Sequence, residues 1–170
     1  MLRKNEMVIS NIQICKDWLS LTASDWQSVN RAVEDKNVAS AMFHLQFYVE
    51  KLLKSLISIF AKEALTNHFP SKQLNQIIED ETIKIDQENI SVIQRIIILS
   101  RSLEDERTRP RYGVRHSNRI VSPEEIYTME TIQLFYDDAK TITQLLIGFY
   151  RSLPFSDLLE TELKKLEDYL

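Results

Sequence analysis

From Asn37 to Lys62 the apolar positions Val38, Met42, Leu45, Val49, Leu52, Leu56 and Ile59 follow each other at alternating steps of four and three. That spacing predicts a helix with one buried face. A second apolar set, Phe43, Phe47, Leu53, Ile57 and Phe60, widens the arc, as expected of a central helix with several neighbours. Upstream, Val8, Ile12, Cys15 and Leu19 predict a helix over about 4–21. Thr22 and Asp25, spaced as a capping box, predict a second short helix through Trp26, Val29 and Val33 that ends at Asp35-Lys36-Asn37.

Downstream, Asn67-His68-Phe69-Pro70 closes the central helix and 71–78 reads as a short helix. Thr82-Ile83-Lys84-Ile85 alternates and predicts a brief extended segment. A helix follows over about 87–107, because its length outweighs the β-branched run Ile96-Ile97-Ile98. Ser122-Pro123-Glu124-Glu125 combines a serine cap, a proline at the first helical position and a glutamate three residues after the cap. It starts a predicted helix running from Ile126 to Leu153, which Pro154 ends. A last amphipathic helix from about Ser156 uses Leu159, Leu163 and Leu166. The fold class expected is all-α, an up-and-down helical bundle.

Composition narrows the function. Two glycines, Gly113 and Gly148, cannot furnish a Rossmann or Walker phosphate loop, and with four prolines they are too few for the turns of an all-β fold. The single Cys15 excludes an intramolecular disulfide and a multi-cysteine zinc site. The three histidines lack metal-ligand spacing, so neither a metal nor another cofactor is expected. No apolar run is long enough for a membrane span or a signal-peptide core, and the expectation is a cytoplasmic protein.

The net charge of −4 is unevenly distributed. Residues 107–120 read RTRPRYGVRHSNRI, with Arg107, Arg109, Arg111, Arg115 and Arg119, one histidine and no acid, whereas 121–170 holds ten acids against four bases. With Pro110, Gly113, Ser117 and Asn118 the stretch reads as the longest loop between helices. It is either a solvated turn facing the acidic helices or a site for phosphate, which arginine forks bind bidentately. Within it Arg111 and His116 are separated by four residues, a pairing suited to RNA cleavage without metal. The histidine would move the ribose hydroxyl proton and the arginine would neutralise charge on the phosphate.

Three blocks give this chain a family resemblance. They are Ser24-Asp25-Trp26 through Ala32 with Val38 to Lys54, ending in Glu50-Lys51-x-x-Lys54; Leu103-Glu104-Asp105 followed by Arg111-Tyr112; and Ser122-Pro123-Glu124-Glu125. The pattern resembles the HEPN domains (higher eukaryotes and prokaryotes nucleotide-binding), over about residues 22–153. The resemblance implies a four-helix core within one helical domain over 1–170, with helical extensions at 1–21 and 154–170. It also implies a homodimer whose twofold brings two Arg-x4-6-His motifs together, which gives Arg111 and His116 the catalytic roles of a metal-independent endoribonuclease or toxin. Catalytic members usually follow the arginine with a small polar residue, where this chain has Tyr112. Adenylylated toxins carry a tyrosine two residues after the histidine, where this chain has Asn118. Gly113 stands where Arg-Tyr-Pro members, many without the histidine, have proline. The alternative is a non-catalytic module that binds RNA or a nucleotide and partners a minimal nucleotidyltransferase.

On either reading Arg107, Arg109, Tyr112, Arg115 and Arg119 are candidate binding residues, together with Glu50 and Lys54. The last two lie one helical turn apart as an ion pair, and Glu50 is placed to orient Arg111 or His116. His44 reads as a hydrogen-bonded core or interface residue, His68 as a turn residue. Asp137 and Asp138 point in different directions from one helix.

Overall fold

The computed structural model describes residues 2–60, 69–106 and 108–170, with side chains from residue 11 onward. Arg107, His68 and the predicted end of the central helix at Lys62 lie outside the described residues. Four long helices form the body: α1 (Leu2–Glu34), α2 (Val38–Ile59), α4 (Gln87–Asp105) and α7 (Met129–Ser152). Shorter elements are α3 (Pro70–Glu79), α5 (Arg109–Tyr112), β1 (Val114–His116), β2 (Arg119–Val121), α6 (Pro123–Ile126) and, after a 3-10 turn at Ser156–Leu158, α8 (Glu160–Glu167). The described residues form an all-α bundle carrying one small hairpin.

α1 and α2 form an antiparallel pair. Lys36, with φ of 54°, stands at the reversal, where the Lys36 and Asn37 N–H groups bond to the Val33 and Ala32 carbonyls, and the Asn37 side chain caps α2 by accepting from the Ser40 N–H at 3.0 Å. α7 runs parallel to α2, with Tyr48 Oη 2.7 Å from Thr143 Oγ1 and Ser55 Oγ 2.7 Å from Tyr150 Oη. α4 runs opposite to α7, placing Asn89 against Ser152. The core is the apolar stripe of α2, from Val38 to Ile57, enclosed by Cys15, Leu19, Trp26 and Val29 of α1, Ile93, Ile96 and Ile97 of α4, and Ile132, Ile142 and Leu146 of α7. Leu159, Leu163 and Leu166 close it from the C-terminal end.

Three boundaries differ from the sequence expectation. First, no break separates two N-terminal helices, since α1 is continuous through Thr22. The buried Thr22 hydroxyl bonds back to the Leu19 carbonyl at 2.6 Å, and Asp25 is held by His44 and Lys51 of α2, so neither side chain is left to cap a new start. Second, 82–85 is not extended in a strand; Asp80 Oδ1 accepts from both the N–H and the hydroxyl of Thr82, and Asp86 caps α4 immediately afterwards. Third, the helix expected from Ile126 to Leu153 is split. Tyr127 takes an extended conformation (φ −100°, ψ 139°) and buries its ring while donating from its hydroxyl to Glu106 Oε2 at 2.7 Å, and Thr128 then caps α7. Breaking one turn of helix satisfies a buried phenol.

Candidate functional site

The arginine-rich segment, expected to be a loop, is built. Pro110 sits in the first turn of α5, where a missing N–H costs nothing, and is buried. Gly113 follows with φ of 68°, and a Cβ there would come within 2.0 Å of the Val121 carbonyl oxygen. Only glycine lets the chain turn this tightly onto the next strand. β1 and β2 then pair antiparallel, with Val114 opposite Val121, Arg115 opposite Ile120 and His116 opposite Arg119. Their turn is Ser117-Asn118, with Ser117 at φ of 53°. The loop expectation missed the hairpin because three-residue strands are too short to show alternation and owe their stability to pairing with each other.

Arg111 leaves α5 toward α2. Its guanidinium carbon lies 4.6 Å from the centroid of the Phe43 ring and 5.0 Å from that of Phe47. Arg111 is exposed, and a guanidinium over an aromatic face retains N–H donors for a phosphate or carboxylate. Beneath it opens a cavity of about 400 Å³ between α2, the end of α4 and Phe69. Phe47, Val49, Phe69 and Leu103 supply its apolar wall, and Gln46, Glu50, Glu104, Thr108 and Arg111 its polar groups. The volume is within the usual range for a small-molecule site, roughly 300–1,000 Å³.

Two carboxylates line this cavity. Glu50 Oε1 accepts from Lys54 Nζ at 2.6 Å, and the Lys54 ammonium lies 5.0 Å above the Trp18 ring of α1. Glu104 receives the Ser71 N–H on one oxygen at 2.9 Å and the Ser71 hydroxyl on the other at 2.5 Å. Burial raises the Glu104 pKa, the two Ser71 bonds oppose the rise, and the charges of Asp105 and Glu50 add to it. Gln46 is held beside them by donating from Nε2 to the Leu103 carbonyl at 2.8 Å.

Of the residues singled out in the sequence, Arg111, Glu50 and Lys54 converge here. His116 and Arg115 are exposed on the hairpin, together with Arg119, whose Nη1 bonds Glu125 Oε1 at 2.8 Å. Arg109 faces Glu106 at 3.5 Å, and Tyr112 is exposed. His44, half-buried, has its Nδ1 3.3 Å from Asp25 Oδ1, as expected of a hydrogen-bonded histidine. Phe43, Phe47 and Glu104 carry weight that sequence reasoning did not assign. Glu104 had a visible signal: it stands four and seven residues after Ser100 and Ile97, both on the buried stripe of α4, so a carboxylate occupies a core-facing position. Among the described residues no group of three or more His, Cys, Asp or Glu is arranged to hold a metal ion, and no helix is long and apolar enough to cross a membrane.

Nothing among curated proteins or solved structures matches the chain at a significant level. The family model for the HEPN domain matches residues 15–153, from within α1 to the end of α7. With most of its length covered by that match, and with the helical bundle that the family resemblance implied, this chain belongs to the HEPN domain family.

Proposed function

We propose that the protein binds RNA or a nucleotide at Arg111, with the phosphate on the guanidinium and the base in the adjoining cavity. The observation that carries this reading is the stacking of Arg111 on Phe43 and Phe47 at the mouth of a cavity with aromatic and aliphatic walls. An exposed guanidinium resting over aromatic rings suits phosphate, and aromatic walls suit a base. Arg109, Arg115 and Arg119 extend the positive surface along α5 and the hairpin, for the phosphates of a longer strand.

The second reading is a metal-independent endoribonuclease that works as a homodimer. It is favoured by the exposure of His116 beside its cross-strand neighbour Arg119, which leaves the imidazole open to a second copy. There His116 moves the ribose hydroxyl proton and Arg111 stabilises the phosphate. On either reading a nucleotidyltransferase is a candidate partner.

Titration of a labelled single-stranded RNA pool with the wild type, Arg111→Ala and His116→Ala, in excess chelator, tests both. Binding that survives His116→Ala and falls at least about tenfold in Arg111→Ala, with the RNA left intact, is the expected outcome; a bidentate charged contact has about this worth. Cleavage to cyclic-phosphate ends, abolished in both variants, would transfer the assignment to the nuclease. Equal binding by all three proteins would overturn the placement of phosphate at Arg111.

A further inference from the structure

Asp25 of α1 is buried, and its carboxylate serves two residues of α2. One oxygen takes the Lys51 ammonium, which also donates to the Leu21 carbonyl at 3.4 Å, and the other lies 3.3 Å from His44 Nδ1. A carboxylate paired with an ammonium only accepts hydrogen bonds, so Nδ1 carries the ring proton and the neutral imidazole presents a bare lone pair at Nε2. Among the described residues nothing bonds to Nε2. The buried side-chain atom left without a partner is an oxygen of Glu162, so Nε2 reaches solvent from a side chain that is 26% exposed. A ring held by a buried carboxylate, with its second nitrogen unused at the surface, is a preformed acceptor for a ligand's hydroxyl or N–H.

The neighbours of His44 narrow the donor. Its ring meets Phe43 edge to face, with centroids 5.1 Å apart, and the Arg111 guanidinium lies against the same Phe43 ring. Phe43 and His44 stand outside the cavity, whose wall on α2 begins at Gln46 and Phe47. A phosphodiester on Arg111 joins two riboses, and when one carries its base into the cavity the other is free to extend over Phe43. The phosphodiester itself has no proton to offer a lone pair. The ribose 2′-hydroxyl has one, and deoxyribose does not.

We propose that His44 Nε2 accepts the 2′-hydroxyl of the ribose next to the phosphate on Arg111, so that the site selects ribonucleotide over deoxyribonucleotide strands. His44 is then a specificity residue. The inference rests on the placement of phosphate at Arg111, and its test separates the two.

The measurement is fluorescence anisotropy of the full chain at pH 8 with short labelled oligoadenylates in ribo, deoxy and 2′-fluoro form. Adenine throughout removes the methyl group that distinguishes thymine from uracil. The ribo strand is expected to bind roughly three- to tenfold more tightly than the deoxy strand, which corresponds to one neutral hydrogen bond. The 2′-fluoro strand keeps the sugar pucker of RNA without the hydroxyl and binds like the deoxy strand. His44→Phe retains a ring against Phe43 and lowers ribo binding to the deoxy level with deoxy binding unchanged; its thermal midpoint reports whether the fold survives. The 2′-fluoro comparison in the wild type needs no variant. Equal binding of the ribo and deoxy strands, dependent on Arg111, would overturn the assignment and keep the phosphate site. A 2′-fluoro strand that binds like the ribo strand would assign the selection to sugar pucker, and a preference that survives His44→Phe would assign it to another residue; either overturns the proposal. Binding of none of the strands, or binding unaffected by Arg111→Ala, would remove the underlying reading.

Discussion

The interface of α1, α2 and α7 and the segment from α5 to α6 both contain many polar side chains, and they use them in opposite ways. In the interior Cys15 Sγ donates to Tyr150 Oη at 3.5 Å, Tyr150 shares a 2.7 Å bond with Ser55, and Tyr48 shares one with Thr143, all of them fully buried. Trp26 stacks with Tyr136 and Tyr169 and packs against Tyr48. Each of these hydroxyl and thiol groups has a partner, and leaving one unpaired costs its full desolvation. In the α5–hairpin–α6 segment Arg115, His116 and Ile120 are exposed, and the shape is held by local devices: the Gly113 turn, the Ser117 turn and the bond from the Ser122 N–H to Glu125 Oε2 at 2.9 Å. Stability is concentrated in the first region, and groups that can meet a ligand are concentrated in the second. Changes in the two should therefore separate in a denaturation experiment.

The largest effect expected is on the interior. Trp26→Ala empties the centre of the aromatic cluster and should lower unfolding free energy by about 3–5 kcal/mol in a urea titration. A loss under about 1 kcal/mol would break the contrast between the regions.

High pH probes the same interior without mutation. Burial pushes the Cys15 thiol from 9.0 up to about 12, and burial also raises the phenols of Tyr48 and Tyr150. The unfolded chain loses the Cys15 proton near pH 9 and the folded chain keeps it to about 12, so between these values the folded state binds more protons. Stability should fall there as pH rises, by up to about 1.4 kcal/mol per pH unit for this group, and be insensitive to it below pH 8. Denaturation curves at pH 7, 9, 10 and 11 check the sign; rising stability would contradict the buried network.

A smaller, local effect is expected at the junction of the regions. Gly113→Ala forces a Cβ against the Val121 carbonyl at a positive φ, a strain of about 1–3 kcal/mol. It should appear as faster hydrogen exchange across β1 and β2 and as weaker RNA binding, with exchange in α2 unchanged. Uniform loss of protection throughout the bundle would show that the hairpin is energetically part of the core.

The smallest effect belongs to the surface pair Arg119–Glu125, both partners largely exposed. Arg119→Ala should change stability by less than about 1 kcal/mol, as exposed ion pairs do. A larger loss would mean that the hairpin depends on this bond rather than on the glycine turn.

Legibility from sequence followed the range of the interaction. Where a helix is decided by its own periodicity and cap, as in α2 with its four-and-three spacing and Asn37, or α8 with Leu159, Leu163 and Leu166, the element was readable. Where a side chain had both a local and a distant use, the distant one prevailed. Thr22 and Asp25 had the spacing of a cap, but Asp25 found Lys51 and His44; Tyr127 lay inside a predicted helix, but its hydroxyl found Glu106. The site divided in the same way. Arg111, Glu50 and Lys54 were nameable from charge, spacing and family likeness, and Glu104 stood out only as a carboxylate on the buried stripe of α4, whereas Phe43 and Phe47 looked like ordinary helix residues until α5 was packed on α2.

By itself the sequence determined the helical class, the chain reversals at Asn37 and Pro154 and the position of the positive charge, because each depends on backbone preference and composition within a few residues. Only the tertiary structure decided that α1 runs unbroken, that the arginine segment forms a hairpin, and that Arg111 rests on two phenylalanines above a cavity holding a fixed carboxylate. Those outcomes depend on which distant groups can satisfy one another when water is excluded. Local spacing does not encode that pairing.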